Sequence, residues 1–550
     1  MKNKAKKTTN FIQKVILKDL KNNKQISNIK TRFPPEPNGY LHLGHAKSIC
    51  LNFNLAKQFK GTCNLRFDDT NPKNENVHYI NSIKKDIKWL EYTWDNIYYT
   101  SSYFETMYNY AIQLIKKNLA YVDQLTKTDI KNFRGTLTTP GIESPYRNQT
   151  IKENLLLFQK MKKGYFKEGE ACLRAKIDMK SNFIVMRDPV LYRIIFFQHH
   201  QTKNKWCIYP TYDFSHCISD ALENITHSLC TLEFQDNRRV YEWILNNIDI
   251  DHHTYQYEFS RLKLEYTVLS KRKLNMLVKN KIVNSWEDPR MPTISGLRNR
   301  GYTPSSIRTF CEKIGITKQE NTIQLSFLES CIRSDLDLKV PRYMAIINPI
   351  KIKICNLSDN YQEILKIPNH PKKTNMGYRK SIFSNILYID KNDFYEHESH
   401  LKKKLTVGKE IRLRYAYVIK AYKIKKDKFN NIDTILCTYD KNTLGVNPKN
   451  RKISGVIHWI SKENALPSKF FLYEKLFLIQ SPDTKKNFLN YINKNSFTIK
   501  NGFVEKNILQ NKSTTTYQFE REGYFCINKN YNFTDNLTFN RIVTLKDKIK

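Results

Sequence analysis

Across 550 residues no apolar run reaches the length that crosses a bilayer, which excludes a transmembrane helix on sequence grounds. The eleven cysteines are scattered and none forms a C-x-x-C pair. That argues against a structural zinc site of the usual spacing and against a disulfide framework. Met1 to Asn10 is basic but lacks an apolar h-region, so it does not read as a secretory signal. The sequons Asn148-Gln149-Thr150 and Asn532-Phe533-Thr534 then read as chance matches. No internal repeat recurs at a fixed period. The expectation is a cytoplasmic, reduced chain with no membrane partner.

What is present is enough hydrophobic (40%) and aromatic (13%) content for proper cores, over a length that predicts several domains. The 92 basic and 52 acidic residues leave a formal net charge of +40. Such a balance favours a polyanion, because released counterions drive nucleic-acid binding. A/T-rich codons for Lys, Asn, Ile and Tyr explain the excess equally well, so charge alone leaves the partner open. Runs such as Lys402-Lys403-Lys404 and Lys423 to Lys428 read as solvated faces.

The densest chemistry lies between Arg32 and His45. Ile29 to Phe33 predicts a buried strand, ended by Pro34, Pro35 and Pro37, which cannot donate to a sheet ladder. Downstream, Ala46, Ile49, Cys50, Phe53 and Ala56 recur on one face of a helix. Gly44 sits where strand turns into helix and leaves room for a ligand against the backbone. The helix N-terminus suits a phosphate. His42 and His45 project near it, placed to donate hydrogen bonds to a phosphorus centre as charge develops. This is the first βα turn of a nucleotide-binding sheet. About 225 residues downstream, Val268-Leu269-Ser270-Lys271-Arg272 forms a polar-basic loop. A mobile ammonium such as Lys271 can follow pyrophosphate charge.

The rest of the chain divides by pattern. Residues 1–26 read as a polar, partly helical lead-in. Residues 27–100 alternate strand and helix, with Cys63 to Phe67 as a strand and Ser82 to Tyr92 as a helix, half of a doubly wound sheet. Residues 101–211 read as an insertion. The sheet is expected to resume around Trp206 to Tyr212, with 212–262 completing the catalytic domain. Residues 263–340 read as helical, for example Ser305 to Ile314 and Gln324 to Ser334. From 341 to 550 short alternating strands, such as Ile411 to Val418 and Ile453 to Ile460, suggest β-barrels.

The two motifs correspond to the HIGH and KMSKS signatures of class I aminoacyl-tRNA synthetases. With Cys63 to Pro72, Ala120 to Thr126, Phe133 to Gly141, Tyr257 to Leu274, Trp286 to Thr303 and Tyr517 to Cys526, the chain most resembles the bacterial glutaminyl-tRNA synthetases over nearly its whole length. The resemblance implies an α/β Rossmann catalytic domain with an inserted acceptor-stem domain, a helical connector and two all-β anticodon-binding barrels. It implies ATP as a substrate, with Mg²⁺ on the pyrophosphate and no metal-ligating residue of the chain itself. Its partners would be L-glutamine and tRNA-Gln, and the protein a monomer.

Site residues carry over by position. Glu36, Pro37, Asn38, His42, Leu43, Gly44, His45, Ala46, Lys47 and Ser48 match the ATP pocket, as do Thr231, Arg261, Leu262, Leu269, Ser270 and Lys271. Leu43 and Leu269 depart from the commonest motif letters but keep apolar size. His42, His45 and Lys271 match the catalytic groups. Asp68 matches the carboxylate that receives the substrate ammonium. Tyr212 and Arg32 match residues near the glutamine side chain, with His216 in the same block. Leu137 matches an apolar wedge at the end of the acceptor stem, and its competing reading is a turn leucine packed locally. Asp236 matches an acid that reads acceptor-stem base pairs. Lys318, Arg342, Gln518 and Arg521 match anticodon-side contacts.

Two other readings stand beside this one. A glutamyl-tRNA synthetase of archaeal or eukaryotic type shares the fold, but its pocket calls for an extra cation, whereas the Tyr212 block and Cys230 favour glutamine. A non-catalytic tRNA-binding paralogue would not need His42, His45, Asp68 and Lys271 intact. No surplus domain for editing is visible, in keeping with a polar pocket that discriminates without one.

Overall fold

The computed structural model describes residues 9–22, 28–252, 254–396, 403–453, 455–511, 513–528 and 537–547. The sequon at Asn532, Lys402 and parts of the 1–26 lead-in lie outside the described residues. The chain divides into two compact units, Met1–Lys263 with Arg308–Ile323, and Leu264–Ile307 with Gln324–Lys550.

In the first unit, α1 (Phe11–Asn22) buries Ile12 and Ile16 against Ile29, Leu51, Leu55, Leu229 and Phe259. Then follow β1 (Lys30–Phe33), α2 (Leu43–Gln58), β2 (Thr62–Phe67), α3 (Val77–Trp89) and β3 (Ile97–Tyr99). The five positions predicted to line one helix face, Ala46, Ile49, Cys50, Phe53 and Ala56, are all buried in α2. Asn76 caps α3 by accepting the His78 amide, so this helix starts earlier than its apolar pattern suggests. The three strands form a parallel sheet in the order β1-β2-β3.

Between β3 and the return to that sheet come α4 (Phe104–Lys116), β4 (Ala120–Asp123), α5 (Lys127–Phe133), α6 (Ile151–Lys162), β5 (Cys172–Ala175), β6 (Val190–Ile194) and β7 (Ile208–Pro210). The four strands make one antiparallel sheet in sequence order. Its core gathers Phe104, Met107, Phe158, Leu191, Tyr192, Trp206 and Phe214, and each such side chain contributes about 1.5–3 kcal/mol by leaving water.

The expected resumption of the parallel sheet at Trp206 to Tyr212 is corrected here, because β7 is an edge of the antiparallel sheet. A three-residue apolar strand looks the same in either setting. The parallel sheet returns after α7 (Tyr212–Leu222), with β8 (His227–Thr231), α8 (Arg238–Asn247) and β9 (Tyr255–Phe259). β8 and β9 pair in parallel. β8 runs beside β1, where the Thr226 amide donates to the Lys30 carbonyl at 3.0 Å. The three-stranded sheet thus lies with its β1 edge beside the two-stranded sheet β8-β9, and chain order reverses between β1 and β8.

The second unit opens with α9 (Lys271–Lys279) and α10 (Ile294–Arg300). α11 (Pro304–Ile314) follows, then α12 (Leu325–Asp337). The helical connector expected over 263–340 is not one body: 308–323 cluster with the first unit, where Arg308 Nη1 donates to the Leu90 carbonyl at 2.7 Å. Two seven-stranded sheets follow, each around its own core. Ile352, Leu387, Ile411, Ile435 and Trp459 lie in the first core, and Phe470, Tyr517, Phe519 and Phe539 in the second. The single strand predicted over Ile411 to Val418 is two, Glu410–Leu413 and Val418–Lys426. They fold back at Tyr415, whose φ of 58° is left-handed and which no alternation of side chains discloses.

Candidate active site

The C-terminal ends of β1, β2 and β8 converge at the point where strand order reverses, the place a doubly wound sheet offers a ligand. β1 leads into the proline-rich loop, whose Pro35 carbonyl accepts the Asp68 amide at 3.2 Å and whose Pro37 carbonyl accepts that of Asn76 at 3.1 Å. The loop carrying Glu36 and Asn38 is thus tied to the end of β2.

At the mouth of α2 the two histidines hold each other in place. The His42 amide donates to His45 Nδ1 at 3.0 Å, and the Gly44 amide donates to His42 Nδ1 at 3.1 Å. With both Nδ1 atoms accepting, each neutral ring carries its proton on Nε2. Burial and the neighbouring His45 hold His42 well below the usual histidine value, so it stays neutral. The rings lie 3.8 Å apart between centroids. The pair is a set of oriented N–H donors rather than a pair of cations. Leu43, Ala46 and Lys47 are buried, and Gly44 and Ser48 are partly so. Lys47 turns inward: Nζ donates to the Ser260 carbonyl at 2.6 Å, and burial lowers its ammonium to about 8.

Behind this mouth lies a buried network of charge. Arg32 is fully buried and its guanidinium is committed. Nε donates to Asp220 Oδ1 at 3.0 Å, Nη2 to Asp220 Oδ2 at 3.1 Å and Ser228 Oγ at 2.6 Å, and Nη1 to the Leu229 carbonyl at 3.1 Å. Arg66, also fully buried, donates Nε to Asp68 Oδ1 at 2.9 Å and Nη1 to Asp220 Oδ1 at 2.7 Å. The Thr100 hydroxyl adds a second donor to Asp68 Oδ1 at 3.0 Å. Asp68 Oδ2 is buried and accepts no hydrogen bond among the described residues. Burial raises the Asp68 pKa, but Arg66 and His216 outweigh it, leaving the carboxyl below its usual range. Burial likewise lifts Glu223, beside Arg66, to about 7.

Tyr212 begins α7 and stacks on His216 at 4.8 Å between centroids, with Phe234 at 5.0 Å. Burial raises its phenol well above the ordinary value, so it remains a hydroxyl. His216 lies 2.9 Å from Arg32 Nη2 and 3.6 Å from Cys230 Sγ. Arg32, Asp68, Tyr212, His216 and Cys230 therefore share one pocket. Arg66, Asp220, Glu223 and Thr100, which sequence reasoning did not single out, hold it together. The available signals were an arginine inside the apolar strand Cys63 to Phe67, and Asp220 one helical turn after His216.

Other sequence candidates fall as follows. Thr231 ends β8 and donates to Glu233 at 2.8 Å, Leu262 is buried, and Arg261 is exposed with Nε 3.4 Å from Glu320. In the second unit, Leu269 and Ser270 precede α9 and Lys271 is its first, exposed residue. That helix is seated by Leu274 and Leu277 on Val268, Met291 and Phe477.

Leu137 is 84% exposed at the apex of a loop held from below by Arg187, which donates to the carbonyls of Arg134, Thr136 and Thr139. Local packing does not explain it. Asp236 is exposed ahead of α8. Lys318 stands 5.6 Å over the Phe11 ring and belongs to the first unit, so it is not part of the β-rich region with the other three anticodon candidates. Two of those three meet. Arg342 and Gln518 are opposite each other on paired strands, and Arg342 Nε and Gln518 Oε1 are both buried without hydrogen-bond partners among the described residues. Arg521 holds Asp393 through both guanidinium nitrogens and lies 2.9 Å from His458 Nδ1.

Comparison with known proteins adds the following. A family model described as tRNA synthetases class I (E and Q), catalytic domain, matches residues 28–338. Two models described as the anti-codon binding domain of the same synthetases match 340–440 and 456–528. The chain is 76% identical to the glutamine–tRNA ligase of Buchnera aphidicola subsp. Baizongia pistaciae, over all of both chains. It is 59% identical to that of Proteus mirabilis, over 98% of this chain and 97% of the other. A solved glutamate-tRNA synthetase from Elizabethkingia anophelis is similar with a TM-score of 0.43 and 18% identity, over 57% of this chain and 71% of that one.

Proposed function

The chain belongs to the class I tRNA synthetases of the E and Q family, and on that premise we propose that it attaches L-glutamine to tRNA-Gln in an ATP-dependent reaction that releases AMP and pyrophosphate. The observation that carries the reading is identity of 76% along the whole length of a glutamine–tRNA ligase. The 2′-hydroxyl of the terminal adenosine is the proposed acceptor.

In the first step the glutamine carboxylate attacks the α-phosphorus in line, forming the adenylate as pyrophosphate leaves. Positioning and charge stabilisation suffice, so no covalent nucleophile is needed. Asp68 receives the substrate ammonium on Oδ2, while Arg66 and Thr100 hold Oδ1. The Nε2–H groups of His42 and His45 donate to phosphate oxygens as charge builds. Lys271 is assigned the departing pyrophosphate. In the second step the ribose hydroxyl attacks the activated carbonyl, with an adenylate phosphate oxygen taking its proton. Mg²⁺ enters with ATP as part of the substrate. Among the described residues the one cluster of three metal-type side chains, Asp69, His199 and His200, has its donor atoms engaged otherwise.

Glutamine differs from glutamate by an amide in place of a charge. Arg32 is the cation that the sequence places near the side chain, and both oxygens of Asp220 pair with it. Asp220 outweighs burial and raises His216 in the same pocket to about 9, but that ring lies between Asp220 and Asp68, so a buried glutamate meets no cation without its own counter-ion. This favours glutamine over the glutamyl reading. On the RNA side, Arg342 Nε and Gln518 Oε1 offer an unpaired donor and acceptor to an unstacked anticodon base, and Arg521 is assigned to the same side. Leu137, in the inserted antiparallel domain, and Asp236, ahead of α8, are assigned the acceptor end. The protein is read as a cytoplasmic monomer; no described helix is long and apolar enough to cross a membrane.

The test is charging of pooled tRNA with labelled glutamine, with and without ATP, and with tRNA whose 3′ ribose has been oxidised. Label esterified only with ATP and intact ends supports the reading. No charging under any condition would make a non-catalytic RNA-binding protein the better account.

A further inference from the structure

Asp69, the neighbour of Asp68 at the end of β2, is fully buried and collects donors from two directions. From the turn after β3, the Ser101 amide donates to Oδ1 at 2.8 Å and the Ser101 hydroxyl to Oδ2 at 2.7 Å. From the connection between β6 and β7, His200 Nε2 lies 2.9 Å from Oδ2, and His199 Nε2 lies 2.9 Å from the Asp69 carbonyl oxygen. His199 is itself fixed. Its Nδ1 accepts the amides of Gln201 and Thr202 at 3.1 and 3.2 Å, and its ring stacks on Tyr209 and meets Phe104 edge-on.

The three donor atoms lie within 4.8 Å of one another, a spacing that also suits a metal ion. The tautomer argues otherwise. With two amides pointing at Nδ1, the ring proton sits on Nε2, the atom a metal would need. Burial also keeps His199 below its ordinary value and neutral. The cluster is a clamp made of hydrogen bonds.

The clamp has a matched neighbour. Thr100 holds Asp68 as Ser101 holds Asp69, so two adjacent acids are pinned by two adjacent hydroxyls. The histidines add the only contacts among these that come from the antiparallel domain. We propose that His199 and His200 are positioning residues for glutamine: through Asp69 they fix the end of β2, and so the direction in which Asp68 Oδ2 faces the substrate ammonium. The inference rests on reading Asp68 as the ammonium acceptor. It makes the β6–β7 connection part of the amino-acid site although it touches no substrate.

The test compares wild type, His200→Ala, His200→Gln and Asp69→Asn in steady-state charging of tRNA, with KM for glutamine and for ATP measured separately. His200→Ala and Asp69→Asn are expected to raise KM for glutamine roughly tenfold, the scale on which loss of an orienting partner is felt. KM for ATP should not move, and His200→Gln, which keeps a donor in reach, should recover most of the loss. An unchanged KM for glutamine in both variants overturns the proposal. So does an equal fall of kcat with every KM intact, the mark of a smaller folded fraction. Wild type that charges no glutamine overturns the functional reading itself, and is told apart by that control.

Discussion

Arg66 grips Asp68 by one oxygen only: Nε stands 2.9 Å from Oδ1, while Oδ2, equally buried, accepts no hydrogen bond among the described residues. Arg66 and His216, whose Nδ1 lies 3.8 Å from Oδ2, keep the carboxyl ionised, and in the proposed reaction Oδ2 receives the substrate ammonium. Asp68→Asn should therefore raise KM for glutamine about 10–100-fold, the value of a charge-assisted hydrogen bond. Arg66→Met should act differently. It leaves Asp68 and Glu223 without their guanidinium and Asp220 with that of Arg32 alone, and should lower stability by about 3–5 kcal/mol in urea denaturation.

His42 and His45 present Nε2–H donors from neutral rings, and the proposed reaction uses them in the transition state. His45→Ala is expected to lower kcat about 10²- to 10³-fold with KM for glutamine little changed. The ring state also sets a pH prediction. His42 is held below its unfolded value, so the unfolded chain binds the extra proton first, and this group withdraws stability as pH falls below about 6.5. His42→Gln should flatten that part of the stability profile between pH 6.5 and 5.

Lys47 gives the opposite end of the pH range. Burial brings its ammonium down to about 8 from 10.5. Between those values the unfolded chain carries the proton and the folded one does not, so the group adds stability as pH rises through that window. Urea midpoints of wild type and Lys47→Met, measured from pH 7.5 to 10, should diverge, with the wild type gaining on the variant.

In the β-rich region, Arg379 and Glu505 form a buried pair: Nε lies 3.0 Å from both carboxylate oxygens, and Oε2 also accepts the Met344 amide at 2.6 Å. Glu505→Ala should cost about 3–5 kcal/mol by leaving the guanidinium buried and unpaired. Replacing both residues by methionine should recover most of that loss, since an apolar pair of similar volume needs no counter-ion.

What the sequence disclosed and what it hid follow from range. The strand, the proline-rich turn, the histidine pair and the apolar face of α2 are local patterns with fixed spacing, and the structure has them where the letters put them. The pocket around Asp68 also follows from adjacent blocks. By contrast, Arg66, Asp220 and Glu223 form a network whose members lie 154 and 157 residues apart in sequence, and buried charge has no periodicity to betray it. The sequence places β7 in the parallel sheet because three apolar residues do not say which strand they pair with. The break at Tyr415 was invisible because alternation continues through it while the backbone turns.

The central claim is that Arg32, neutralised by Asp220, leaves a pocket that accepts an amide and rejects a carboxylate. The most direct measurement is kcat/KM for charging tRNA-Gln with glutamine and with glutamate under the same conditions. The account predicts a ratio of about 10⁴ or more in favour of glutamine, as expected of a polar site that needs no editing. Comparable values for the two amino acids, or a preference for glutamate, would contradict it.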